Sequence, residues 1–222
     1  MKSVERSAGL GWVLTLLLIA AGPAWGGDDA DTHAKPLPDL RAVLAELRQG
    51  GFVIYFRHTA TDQSGAGDAE ADLGRCETQR NLSAAGRAQA SQIGKSMKAL
   101  RVPVGTVLAS PFCRTQDTAR LAFGRVAVSK DLHFVIGAPE VEMKRLRDAL
   151  RKMLSTPPAP GTNVVLVSHS ANLREAAGIF AKPEGAAYVF RPLPDGKFEA
   201  VARILPQDWS GAAPPVRAAA AR

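Results

Sequence analysis

Apolar residues fall along this chain in two alternating patterns. Short unbroken runs at 52–56, 106–109, 126–128 and 164–167 are bounded by glycine or polar residues and predict strands buried on both faces. Between them, apolar positions recur every three or four residues and predict amphipathic helices. The first helix carries Leu40, Val43, Leu44 and Leu47 behind a capping Asp39 and stops at Gly50-Gly51. The second runs from a capping Ser83 to about residue 100, with Ile93 and Met97 inward, and the third spans 112–123 and closes on Gly124. A fourth, over 141–154, places Met143, Leu146, Leu150 and Leu154 on one stripe, and a fifth covers 172–180. The chain then reads as a hairpin, 186–190 and 198–204, across Pro194-Asp195-Gly196-Lys197. Strand and helix alternate, which predicts an α/β fold: a layered sandwich with a central, mainly parallel sheet flanked by helices and a C-terminal hairpin at the sheet edge.

The N-terminus breaks this pattern. Lys2 and Arg6 precede an apolar run over 10–21, and Ala24-Trp25-Gly26 supplies the small residues that a signal peptidase reads. Residues 1–26 are therefore expected to be a cleaved signal peptide, the run being short and interrupted by Gly22 and Pro23 for a membrane anchor. Residues 27–38 follow as a disordered lead-in, 39–208 as one domain, and 209–222 as a disordered Ala/Pro tail. Such a leader implies a periplasmic or secreted protein with no stable membrane insertion after cleavage. Losing Lys2, Glu5 and Arg6 with it leaves 26 basic and 20 acidic side chains, a balance that favours anionic partners. Nucleic acid is excluded as a class, because aromatics are few and no Lys/Arg block is present. Cys76 and Cys113 lack metal-ligand spacing, and in an oxidising compartment such a pair predicts a disulfide.

Chemistry gathers where strands end. The first strand runs into Arg57-His58, the second into Ser110-Pro111-Phe112-Cys113-Arg114-Thr115, and a later one into Ser168-His169-Ser170. Parallel strands point their carboxyl ends one way, so these groups converge on one crevice. Guanidinium forks match a phosphoryl group, and a neutral imidazole at His58 can attack phosphorus in line. Arg57, Arg114 and His169 would then stabilise the transferring charge with no metal and no cofactor.

Three motifs in order, strand-Arg-His-Thr, Ser-Pro-x-x-Arg-Thr-x-x-Thr-Ala and strand-Ser-His-Ser, resemble the histidine phosphatase (phosphoglycerate mutase-like) superfamily over about residues 39–205. The start of the second helix, Asn81-Leu82-Ser83-x-x-Gly86-Arg87-x-Gln89-Ala90, is similar to it as well. The resemblance implies hydrolysis of small phosphate monoesters through a phosphohistidine on His58, with Arg57, Thr59, Arg114, His169 and Ser170 around the phosphoryl group. The family's usual residue at position 59 is glycine, and Thr59 would crowd the phosphate or donate to it. The family's larger members place a carboxylic acid between the second arginine and the second histidine. Glu140 and Glu142 fall there, and Asp62 on the 59–80 loop is a third candidate. A binding module that holds phosphorylated ligands without turnover is the competing reading of the same fold.

Overall fold

A computed structural model of the chain describes residues 40–64, 67–68 and 71–211. The expected leader, the lead-in and the tail from 212 lie outside these residues. Six helices and six strands follow one another: α1 Leu40–Leu47, β1 Val53–Arg57, α2 Ala84–Ala99, β2 Val104–Ala109, α3 Cys113–Phe123, β3 Ala127–Val128, α4 Glu140–Ser155, β4 Asn163–Ser168, α5 Ser170–Ala177, β5 Ala187–Leu193, β6 Lys197–Ile204 and α6 Asp208–Gly211. The strands form a single sheet in the order β3-β2-β4-β1-β5-β6. β3, β2, β4 and β1 run parallel, while β5 and β6 join antiparallel as the hairpin at the edge.

β1 sits mid-sheet because both of its faces are apolar. Side chains alternate across a strand. Ile54 and Phe56 therefore pack with Val43 and Leu47 of α1 and Ile93 and Met97 of α2, whereas Val53 and Tyr55 pack with Leu150 and Leu154 of α4 and Leu173 of α5. Two half-cores on opposite faces make a three-layer sandwich.

Close approach between helices and loops is bought by glycine at two positions. A Cβ built on Gly86 would overlap the carbonyl oxygen of Ala60, and one on Gly94 would overlap that of Ala122. The first contact presses the start of α2 against the loop leaving β1; the second packs α2 on α3. Ser83 caps α2 as the spacing predicts, its hydroxyl accepting from the Gly86 amide at 3.0 Å.

Two boundaries differ from those read in the sequence. α5 stops at Ala177 and not near 180, because Gly178 takes the left-handed conformation at φ 72° and closes the helix. Beyond residue 208, where a disordered tail was expected, Trp209 is buried to 1 % exposure and stacks on Phe56 with centroids 6.1 Å apart. Among the described residues no helix is long and apolar enough to cross a membrane.

Candidate active site

Arg57 of β1 pairs with Ser168 of β4, and Ala109 of β2 with Val167, so the three motif-bearing strands end in register at one edge. The ladder continues into the turns: the His58 amide donates to Ser168 O at 3.0 Å and the Ser110 amide to Val167 O at 3.0 Å. This edge is buried. His58 is 2 % exposed, His169 1 % and Arg114 0 %.

Among the described residues the His58 ring has one partner within hydrogen-bond reach, the carbonyl of Thr59, 3.0 Å from Nδ1. A carbonyl only accepts, so Nδ1 carries the proton and Nε2 keeps its lone pair. Burial, and next the charge of Arg114, hold the His58 pKa well below its ordinary value. The ring is neutral at physiological pH.

His169 is set by the same logic. Arg114 Nη2 lies 3.3 Å from its Nδ1, and a guanidinium only donates, so Nδ1 is the acceptor. Nε2–H then donates to Ser110 Oγ at 3.0 Å. Burial, followed by Arg114, keeps its pKa well below the usual range, in agreement with a neutral ring. The backbone of His169 is fixed from below by Tyr55, whose hydroxyl donates to His169 O at 2.7 Å and accepts from His169 N at 3.1 Å.

Arg114 stands over the Phe112 ring, its Cζ 4.5 Å from the centroid, and donates from Nη1 to Asp68 Oδ1 at 2.7 Å. The other oxygen of Asp68 faces Arg80 Nη2 at 3.7 Å. Arg57 donates from Nη1 to Ala181 O at 3.2 Å and from Nη2 to Glu184 Oε1 at 3.1 Å. The Nε–H of Arg57 and that of Arg114 are buried and have no partner among the described residues. Orphan donors of this kind are rare in a folded interior, and here both belong to cations at one crevice.

The remaining residues singled out in the sequence divide into two groups. Thr59 is fully buried, and its hydroxyl lies 3.1 Å from Thr118 Oγ1, which itself donates to Arg114 O at 2.7 Å. Thr118 has spent its only proton, so Thr59 donates to it, tying the His58 turn to α3. Ser170 opens α5 next to His169. Cys76 and Cys113 are disulfide-bonded, with Cα atoms 5.7 Å apart, and the Cys113 amide donates to Gln79 Oε1 at 2.9 Å.

The three carboxylic-acid candidates lie apart from these contacts. Glu140 and Glu142 sit in the exposed first turn of α4, where Arg145 grips Glu142 through Nε and Nη2 at 2.8 and 2.9 Å. Asp62 accepts from the amide and hydroxyl of Ser64 at 2.9 and 2.7 Å. These bonds favour the ionised form and lower both carboxyls, Glu142 through Arg145 and Asp62 through Ser64.

Sequence reasoning missed Tyr55, Asp68, Arg80, Ser110 and Glu184. Only Ser110 stood inside a recognised motif; Glu184 follows no pattern and is brought in by the turn before β5.

Residues 53–133 match the model of the histidine phosphatase superfamily, branch 1, a span that carries both arginines and the His58 turn. No curated protein sequence matches the chain. Among solved structures, a candidate alpha-ribazole-5′-P phosphatase of Escherichia coli is similar at a TM-score of 0.51 and 15 % identity, covering 68 % of this chain and 95 % of that one. The alpha-ribazole phosphatase of Shigella flexneri is similar at 0.50 and 16 % identity, over 67 % of this chain and 94 % of that one. An open reading frame of Mycobacterium tuberculosis is similar at 0.50 and 19 % identity, over 70 % and 97 %. These likenesses speak for the fold, and the matched segment for the residues at its strand ends. Together with the motifs in their order, they make the chain similar to the histidine phosphatase superfamily over residues 53–133 and in fold.

Proposed function

We propose that this chain is an exported, metal-independent phosphatase that hydrolyses small phosphate monoesters through a phosphohistidine on His58. The observation that carries the reading is the state of that ring. Its proton is committed to Thr59 O through Nδ1, so Nε2 is an unprotonated nucleophile held beside the buried Arg114 and the half-buried Arg57, whose Nε–H donors lack partners among the described residues.

Phosphoryl transfer asks mainly for positioning and for charge stabilisation of the equatorial oxygens. Arg57 and Arg114 are suited to bind those oxygens. A phosphate dianion brought beside His169 raises that ring's affinity for a proton, giving a further donor. Nε2 bonds to phosphorus as the ester oxygen departs with its electron pair and takes up a proton, from solvent or from one of Glu140, Glu142 and Asp62. Water then attacks phosphorus and returns the electron pair to Nε2. Similar structures include alpha-ribazole phosphatases, which supports a phosphomonoester as the substrate class. The leader-like sequence of residues 1–26 and the disulfide support the oxidising compartment.

p-Nitrophenyl phosphate tests the reading. Hydrolysis is expected to withstand EDTA and to be inhibited by vanadate, and rapid quenching should trap an acid-labile, base-stable phosphoenzyme. His58→Ala is expected to lose both the phosphoenzyme and turnover. A His58→Ala protein that keeps appreciable activity, or a wild type that binds phosphate without hydrolysing the ester, would defeat the proposal.

A further inference from the structure

Glu184 draws more bonds than a connector residue needs. Its Oε1 accepts from Arg57 Nη2 at 3.1 Å and from the Thr61 hydroxyl at 3.1 Å, while Oε2 accepts from the Thr61 amide at 2.9 Å. The peptide on either side of it reinforces the clamp. The Gly185 amide donates to His58 O at 2.9 Å, the Arg57 amide to Ala186 O at 3.1 Å, and Arg57 Nη1 to Ala181 O at 3.2 Å. Residues 181–186 thus grip the turn that carries the nucleophile at each of Arg57, His58 and Thr61. Both carboxylate oxygens are thus acceptors, one shared between Arg57 and Thr61 and the other taken by the Thr61 amide. Its Oε1 also stands 4.0 Å from His58 Nδ1, on the side of the ring away from the nucleophilic nitrogen.

We infer that Glu184 is a working part of the phosphoryl site: its carboxylate fixes the Arg57 fork and supplies the counter-charge for the cationic His58 ring formed when Nε2 bonds to phosphorus. The inference rests on the phosphohistidine reading above. In that step the Nε2–P bond forms and the P–O ester bond breaks, its electron pair leaving with the oxygen. Nδ1 keeps its proton, so the ring gains one positive charge with the Thr59 carbonyl as its dipole and Glu184 as its anion. When water cleaves the N–P bond the electron pair returns to Nε2 and the ring is neutral again. In the resting enzyme burial, and after it the charges of Arg114, Arg57 and Arg80, hold the ring neutral. Once a phosphoryl dianion offsets those arginines, the carboxylate next to Nδ1 sets how firmly the phosphorylated ring holds its proton. The groups facing that ring are Arg57 from β1, Arg80 from the loop before α2, Arg114 from α3, His169 from the end of β4, and Glu184.

This has a signature that a merely structural role lacks. Hydrolysis of the phosphoenzyme needs the Nδ1 proton, because only the cationic ring leaves as a neutral imidazole. Removing the counter-charge lowers the pKa of that proton, so the alkaline limb of phosphoenzyme decay moves to lower pH. In Glu184→Gln, rapid-quench kinetics with labelled ester on the full chain should show phosphoenzyme formation slowed about tenfold or more, and the limb displaced downward by about one pH unit. Glu184→Asp, with the charge set back by one methylene, should fall between the two. It carries the test alone if Glu184→Gln does not fold, since retracting the charge must still lower the limb. Slower formation with an unmoved limb would overturn the counter-charge, and wild-type values for both would overturn the inference entirely. Absence of any phosphoenzyme in the wild type would instead count against the phosphohistidine reading itself.

Discussion

Replacing Tyr55 by phenylalanine removes one oxygen that lies far from solvent and carries two backbone bonds. The hydroxyl is the only hydrogen-bond partner of the His169 amide among the described residues, and it donates the shorter bond, 2.7 Å, to the same residue's carbonyl. Phenylalanine fits the space but leaves a buried N–H unsatisfied. Such a group costs about 1–3 kcal/mol, to which the lost donor adds about 1 kcal/mol, so the variant should lose roughly 2–4 kcal/mol of stability. For a domain of this size each kcal/mol is worth about 2–4 °C, which places the expected fall in melting temperature at roughly 4–16 °C.

Turnover should fall as well, because His169 reaches Ser110 and Arg114 from that pinned backbone, and displacement by about 1 Å can cost on the order of a hundredfold. Thermal melting and p-nitrophenyl phosphate kinetics at a temperature where the variant remains folded separate the two effects. A Tyr55→Phe protein with wild-type melting would refute the claim that the His169 amide depends on this hydroxyl. Reduced melting with unchanged kcat would refute the link to the site.

The two buried histidines make stability depend on pH. Both folded values lie well below the unfolded one near 6.5, so as pH falls from about 6.5 toward the folded values the unfolded chain binds protons that the folded chain refuses. Stability is full above about 6.5 and is lost on acidification by up to about 1.4 kcal/mol per pH unit for each ring; His169→Asn should flatten the decline in denaturant midpoint between about pH 6.5 and 5, and an equally steep decline would refute the assignment. Reduction of Cys76–Cys113, 37 residues apart, removes a constraint worth about 4 kcal/mol in the chain-entropy picture and should lower both melting temperature and turnover. Intact mass after alkylation, with and without reductant, reports the bond; free thiols in exported protein, or a bond whose loss changes neither quantity, would refute this role.

The α/β layering was legible because β1 and β4 are apolar on both faces and the helices between them keep a three-to-four spacing. The strand ends were legible for a related reason: Arg57, His58, Arg114 and His169 are charged or polar groups placed where buried strands stop, and burying them without purpose would be costly. What could not be read is whatever depends on chain reversal. β5 runs antiparallel to β1 and begins opposite Phe56, so the turn before it lands beside His58 and delivers Glu184 there. A lone glutamate between a proline and a glycine gives no hint of that. Tyr55 reads as one more core aromatic, since nothing local says that its hydroxyl will meet His169. Asp68 and Arg80 sit in an aperiodic loop, where pattern is silent. The glutamates of α4 are candidates through sequence order alone; in the fold they open that helix, with Glu142 held by Arg145.

The position of β1 has a consequence for how the chain becomes a protein. This most apolar strand receives its partners late: Phe52 is bonded to Asn163, 111 residues downstream, and the other flank of β1 is covered only by β5. Until the chain has been made past Ser168 this apolar ribbon has no neighbour on either edge, and until it has been made past Leu193 it has one. Contacts so distant in sequence slow folding, and an unpaired strand of this composition invites association with other chains. Pulse-labelled hydrogen exchange should find β1 among the last segments to gain protection, and yield of folded protein should depend more on what shields that strand in transit than on the stability of the finished fold.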